Sequence, residues 1–150
     1  MDRFEFRQMQ SLKDKQALRE MLLDADPDWD VVMAYLPDGE VFVLTLHDVP
    51  VCEAVMVWRE DDQIELKNLA TDRAHQRKGY ARQLVHHLFG HYQGRCDWMY
   101  VGTAFPGLYE RLGFEYAYTV ENFFIDNYPE PIIDEGRQCV DMIYYRRSMR

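Results

Sequence analysis

The stretch Ile64-Glu65-Leu66-Lys67-Asn68-Leu69-Ala70-Thr71, continued by Asp72-Arg73-Ala74-His75-Gln76-Arg77-Lys78-Gly79-Tyr80-Ala81, decides how this chain folds. Its first eight residues are rich in apolar side chains and read as a strand. From Gly79 to Tyr92 the apolar residues Ala81, Leu84, Val85, Leu88 and Tyr92 recur at helical spacing. The turn between them ends at a helix start, where several backbone N–H groups lack intrahelical partners and the peptide dipoles add partial positive charge. Such a place binds anions. Gly79 has no side chain, so a phosphate can approach its backbone, and Ala81 keeps the next approach open.

The charge around this turn is local. Residues 72–82 hold Arg73, Arg77, Lys78 and Arg82 against Asp72 alone, in a chain with 17 Lys and Arg, 26 Asp and Glu, and a net charge of −9. A basic turn on an acidic protein points to a small polyanion. Nucleic acid and anionic membrane would need a wide positive surface, so neither is expected as a partner.

Outward from the turn, the remaining elements follow from periodicity. Phe4 to Gln8 alternates as a first strand, and Ser11 caps a helix with a stripe from Leu12 to Leu23. Pro27 suits the first turn of a second short helix through Val31–Leu36. Strands are expected over Val41–His47 and Val51–Trp58, joined through Asp48-Val49-Pro50, and a turn at Glu60-Asp61-Asp62 leads into strand 63–71. Beyond the helix come a strand Cys96–Val101 and a short helix Leu108–Leu112. Phe114 to Val120 alternates with Phe114, Tyr116 and Tyr118 on one face. Residues 121–137 read as irregular, Cys139–Tyr145 as a closing strand, and Arg146–Arg150 as a fraying tail.

With Leu108-Tyr109-Glu110-Arg111-Leu112-Gly113-Phe114 downstream, Gln76-x-x-Gly79-x-Ala81 resembles the acetyl-CoA signature of the GNAT N-acetyltransferases. The likeness runs roughly from Glu40 to the C-terminus. It implies a single α/β (α+β) domain over residues 1–150, with a mixed central sheet flanked by helices in the order β-α-α-β-β-β-α-β-α-β-β. It also implies acetyl-CoA as co-substrate, transfer to a small-molecule or peptide amine, and no metal.

The resemblance assigns roles residue by residue. Gln76, Arg77, Lys78, Gly79, Tyr80 and Ala81 would cradle the diphosphate, and the backbone of Leu69, Ala70 and Thr71 would pair with the pantetheine arm. Tyr109 would protonate the departing thiolate, a sensible exchange because phenol and thiol affinities are similar. Glu65 occupies the position of the strand carboxylate that serves as base in histone acetyltransferases of the family; the residues themselves equally allow a solvent-facing Glu65 paired with Lys67. Relatives often carry Asn seven residues before the tyrosine; here Gly102 stands there, with Thr103 as the substitute contact. A non-catalytic acyl-CoA-binding module of the same fold is the alternative function.

Residues 112–136 contain six acidic residues and no Lys or Arg, and Asp24, Asp26, Asp28 and Asp30 form a second cluster. A cationic acceptor is one reading and ordinary solvated loops the other. Phe123, Phe124 and Tyr128 suit a pocket wall or a homodimer face. His87 and His91 are four apart, without a third ligand or the zinc-protease glutamate, and His75 adjoins the phosphate turn. Three separated cysteines, Cys52, Cys96 and Cys139, with no N-terminal signal pattern, lead us to expect a reducing, cytoplasmic setting.

Overall fold

In the computed structural model, which describes residues 1–60 and 62–150, the chain opens with strand β1 (Phe4–Met9). Ser11 caps α1 (Leu12–Gln16), its Oγ accepting from the Asp14 amide at 3.1 Å. The single helix expected to Leu23 is interrupted, because the Leu18 amide bonds back three residues to the Lys15 carbonyl. A second helix, α2 (Arg19–Ala25), follows, and the apolar stripe survives the break, with Leu18, Met21 and Leu22 all buried. Pro27 stands before the next helix rather than in its first turn. Asp28 is the cap of α3 (Trp29–Tyr35), accepting from the Asp30 and Val31 amides.

Strands β2 (Glu40–Leu46) and β3 (Val49–Glu60) meet at His47 and Asp48, both at positive φ. That is the two-residue hairpin whose twist suits its strands, so Val49 and Pro50 belong to β3 rather than to the connection. Asp61, in the expected turn, lies outside the described residues. Next come β4 (Gln63–Thr71), α4 (Tyr80–Tyr92), β5 (Trp98–Thr103), α5 (Gly107–Arg111) and β6 (Glu115–Val120). The segment read as irregular carries α6 (Phe123–Asn127) and a small hairpin, β7 (Ile133–Asp134) with β8 (Arg137–Gln138). Strand β9 (Met142–Ser148) closes the chain.

The sheet has the order β1-β2-β3-β4-β5-β9-β6, with β4 and β5 parallel and the other pairs antiparallel. Helix α4 covers one face over Met56, Ile64, Leu66 and Met99. Helices α2 and α3 cover the other over Val41, Val43 and Val55. The tail does not fray. β9 is inserted between β5 and β6, Arg146–Ser148 belong to it, and Met149 is fully buried in the α4-side core.

Three irregularities shape the functional end. In β4, Asn68 lies opposite Val55 and Leu66 opposite Met56, so Lys67 is bulged. The bulge turns Leu69 to the α4 core and Asn68 and Ala70 to the α2–α3 side. Pairing of β4 with β5 covers only Gln63–Leu66 against Trp98–Val101, and the strands part beyond it. In β6 a shift at Ala117 sets Tyr116 opposite Tyr145 and Tyr118 opposite Tyr144, which overturns the single tyrosine face expected from alternation.

One side chain breaks the apolar pattern of β3. Glu53 is fully buried, and among the described residues neither carboxylate oxygen has a hydrogen bond of normal geometry. Burial pushes its carboxyl up to about 8, opposed by the Ala70 amide.

Two stability predictions follow from these placements. Met149→Ala should cost about 2–5 kcal/mol in urea unfolding, as for other buried methionines; a negligible loss would restore the frayed tail. Glu53 holds its proton more tightly folded than unfolded, so folding takes up a proton between its ordinary value of 4.5 and about 8. Stability should therefore fall as pH rises through that window, by up to about 1.4 kcal/mol per unit. Glu53→Gln should flatten the slope, with its advantage over wild type growing from pH 5 to pH 8 in urea midpoints.

Candidate active site

The turn before α4 is built from left-handed backbone. Arg77 has φ 65° and Gly79 φ 81°. A Cβ on Gly79 would meet nothing within 4 Å, so conformation rather than crowding selects glycine. Gly79 offers α4 no side-chain cap, and the first amides of this thirteen-residue helix point outward without an intrahelical acceptor. Gln76 Nε2 donates to the Thr71 carbonyl at 3.2 Å and ties the turn to the end of β4. Tyr80 and Ala81 pack against the α4-side core. The basic set is smaller than the sequence suggested. Arg73 is bound to Asp24 at 2.6 and 3.2 Å, and His75 to Asp72 at 2.7 Å. Arg77, Lys78 and Arg82 remain exposed around the turn.

Leu69, Ala70 and Thr71 lie beyond the last β4–β5 pair. Their side chains are turned inward: Leu69 to one core, Ala70 to the other, and Thr71 Oγ1 donating to Cys52 Sγ at 3.4 Å. What they present toward β5 is an unpaired main-chain edge, the kind of edge an extended ligand joins as an added strand.

Tyr109, on α5, is half-buried with its ring edge-on to Phe114 at 5.7 Å. Burial first, and then the charges of Glu53 and Cys52, raise its hydroxyl well above the ordinary phenol value, so it stays protonated. Gly102 is dictated by packing: a Cβ there would come within 2.8 Å of the Tyr144 ring and 2.9 Å of Met142 Sδ. An Asn at that position has no room. Thr103 Oγ1 is already engaged, accepting from the Phe105 amide at 3.1 Å.

Glu65 is 8% exposed and stands 3.6 Å from Arg59 Nε and 3.5 Å from Lys67 Nζ. The solvent-facing Glu65 allowed by the sequence is corrected: the carboxylate is buried, although its pairing with Lys67 is present. Arg59 lies over the Tyr100 ring at 4.1 Å, with Tyr118 and Tyr144 beside it, so the α2–α3 face of β5, β6 and β9 is an aromatic patch around one guanidinium.

The sequence did not reveal a polar network next to this patch. Asn68 Nδ2 donates to the Leu22 carbonyl at 3.1 Å and to Tyr35 Oη at 3.0 Å. Tyr35 Oη donates to Asp26 at 3.1 Å, and Tyr128 Oη donates to the other Asp26 oxygen at 2.9 Å. Burial raises the Asp26 carboxyl against the pull of the two phenols. The only forewarning was a lone acid, Glu53, in the apolar run Val51–Val57. The histidines of α4 serve packing: His87 stacks on Phe6 at 4.2 Å, and His91 meets Phe42 edge-on at 5.0 Å. Among the described residues no group of three or more His, Cys, Asp or Glu side chains could hold a metal, and no helix is long and apolar enough to cross a membrane.

The comparisons with known proteins agree with this architecture. The acetyltransferase (GNAT) domain family matches residues 37–116. The Bacillus subtilis (strain 168) protein named "Uncharacterized N-acetyltransferase YvbK" is 30% identical over 132 residues, covering 84% of this chain and 85% of its own. A GNAT family acetyltransferase from Elizabethkingia anophelis, solved with acetyl-CoA bound, superposes with a TM-score of 0.89 at 26% identity, over 97% of each chain. A Bacillus subtilis acetyltransferase in complex with CoA gives a TM-score of 0.86 at 27% identity, over 99% of this chain and 100% of its own. An open amide turn at the end of a half-paired strand, on a sheet that follows these structures nearly end to end, leaves one assignment: the chain belongs to the GNAT family and is an acetyltransferase.

Proposed function

We propose that this enzyme transfers the acetyl group of acetyl-CoA to the primary amine of a cationic acceptor, by direct attack of the amine within a ternary complex. The observation that carries the reading is the uncapped turn at Gly79, set at the end of a strand whose outer edge is free past Leu66. Solved relatives with acetyl-CoA or CoA bound support the choice of co-substrate.

In this reading the CoA diphosphate lies on the main-chain amides of residues 76–81, with the Arg77 and Lys78 charges beside it. The pantetheine arm pairs with the backbone of Leu69, Ala70 and Thr71, and the thioester comes to rest where β4 and β5 part. Thr103 contributes through its main chain, since its hydroxyl is held by Phe105. Tyr109, kept protonated, gives its proton to the departing thiolate. Glu65 is the carboxylate that the family pattern offers for the amine proton. Its contacts with Arg59 and Lys67 favour an electrostatic part, fixing two cations beside the acceptor. The amine enters between residues 24–30 and 121–137, segments linked by the Tyr128–Asp26 bond and rich in acids. Three buried, unpaired thiols support a reducing, cytoplasmic setting.

The deciding experiment is release of free CoA thiol from acetyl-CoA across polyamines, amino sugars and peptide amines. Preference for a neutral or anionic acceptor would overturn the cationic assignment, and binding without any release would favour the acyl-CoA-binding alternative. Tyr109→Phe should lower kcat on the order of 10²-fold while CoA affinity by calorimetry changes less than about twofold. Gly79→Leu should abolish CoA binding and leave the domain folded. The added side chain meets no neighbour, and the left-handed backbone costs only about 1–2 kcal/mol.

A further inference from the structure

Beneath α2 and α3 the sheet carries acceptors without donors. Glu53 on β3 lies opposite Val43 on one side and Ala70 on the other, and Asn68 lies opposite Val55. The alternation of strand side chains makes Glu53 and Asn68 diagonal neighbours on one face. They are 0% and 3% exposed. The Asn68 amide nitrogen is used twice, but among the described residues its Oδ1 and both Glu53 oxygens close no hydrogen bond of normal geometry, the Ala70 amide being the nearest donor to the carboxyl. The titratable groups that feel Glu53 are Tyr35 from α3, Tyr109 from α5 and Cys52 from its own strand. Beyond Tyr35 stand Asp26, bonded to its hydroxyl, and Lys67, 5.8 Å from its ring and drawn to Glu65. Among the described residues no cation is bonded to Glu53.

We propose that Glu53 and Asn68 seat the reacting ammonium of the acceptor and that the Glu53 carboxylate takes its proton. The proposal rests on the acetyl-transfer reading above. An alkyl ammonium brings three N–H donors on one point charge, which matches three unpartnered acceptors and compensates the buried carboxylate. The place is right for it. Ala70, beside Glu53, belongs to the stretch assigned to the pantetheine arm. Asn68, on β4, stands between Glu53 on β3 and the free edge of β4.

In the step, an N–H bond of the ammonium breaks and its proton forms an O–H bond on Glu53. The freed lone pair makes the C–N bond to the acetyl carbon, and the C–S bond breaks with its electron pair leaving on sulfur. The thiolate takes the Tyr109 hydroxyl proton, Tyr109 regains one from the acylated nitrogen, and Glu53 releases its proton to water. A carboxyl pushed up to about 8 lies nearer the ammonium's roughly 10 than an ordinary one does, so the first transfer is less uphill.

The test uses the full chain with acetyl-CoA and spermidine, glucosamine or glycinamide, following thiol release from pH 6 to pH 9. Wild type should show an ionisation near 8 in kcat/KM that stays put as the amine, and so the amine's own pKa, is changed. Glu53→Gln should lose that ionisation and fall on the order of 10²-fold in turnover with CoA affinity intact, and Glu53→Asp should recover part of it. An active wild type whose profile and rate are unmoved in Glu53→Gln overturns this proposal alone. So does a Glu53→Gln protein that has lost CoA binding in proportion, which would make Glu53 structural. If Glu53→Gln does not fold, an unshifted profile in Glu53→Asp overturns it equally. A wild type that binds CoA yet releases no thiol with any amine overturns the transfer reading and this proposal together.

Discussion

The bulge at Lys67 is the constraint from which the functional end of the molecule derives. Strand side chains alternate, so a one-residue slip moves every later side chain to the other face. Without the extra residue, Asn68 and Ala70 would point at α4 and Leu69 at α2 and α3. With it, Leu69 stays in the α4-side core and the amide of Asn68 reaches Leu22 and Tyr35. The same short stretch loses its parallel partner after Leu66. One strand therefore presents a free main-chain edge toward β5 and polar side chains toward α2 and α3.

Charge is sorted along that strand. The exposed bases of the Gly79 turn lie past its C-terminal end, where a helix start already carries partial positive charge. The acids of residues 24–30 sit at the ends of α2 and α3, and three of the four are held. Asp24 binds Arg73, Asp28 caps α3, and Asp26 accepts from two tyrosines. Pinning Asp24 with Arg73 removes one cation from the turn, and pinning Asp26 with neutral phenols leaves its charge uncompensated. The excess of 26 acids over 17 bases is thus not a uniform solvating coat; at residues 24–30 it is ordered structure facing the polar network.

What could be read in the sequence was local. A helix opening at Gly79, a capping serine, and the 3.6-residue stripe of α4 are decided within a few residues of themselves, and all three stand where the residues put them. The rest depends on partners far along the chain. Lys15 looks like a solvent residue until its ammonium is found under the Pro37 and Gly39 carbonyls at 3.0 and 2.8 Å. Arg146 to Met149 look like a tail until β9 takes its place between β5 and β6. Glu53 was visible as a single acid in an apolar strand, but whether it had a partner is settled by β4, α3 and α5 together. Its unmatched oxygens could not be inferred from its neighbours in sequence.

Gly102 shows how far such non-local packing reaches. The irregularity at Ala117 puts Tyr118 opposite Tyr144, and their rings stack at 4.7 Å. Tyr144, held there, fills the volume that a side chain at position 102 would need, leaving 2.8 Å to a Cβ. The family's asparagine is therefore excluded by an aromatic pair on β6 and β9, and Thr103, tied to Phe105, does not replace its amide. An arm lying along this part of β5 is left with main-chain groups and tyrosine rings as neighbours. The loss of one polar contact and the aromatic wall around Arg59 meet at Tyr144, which lies opposite Gly102 on one side and Tyr118 on the other.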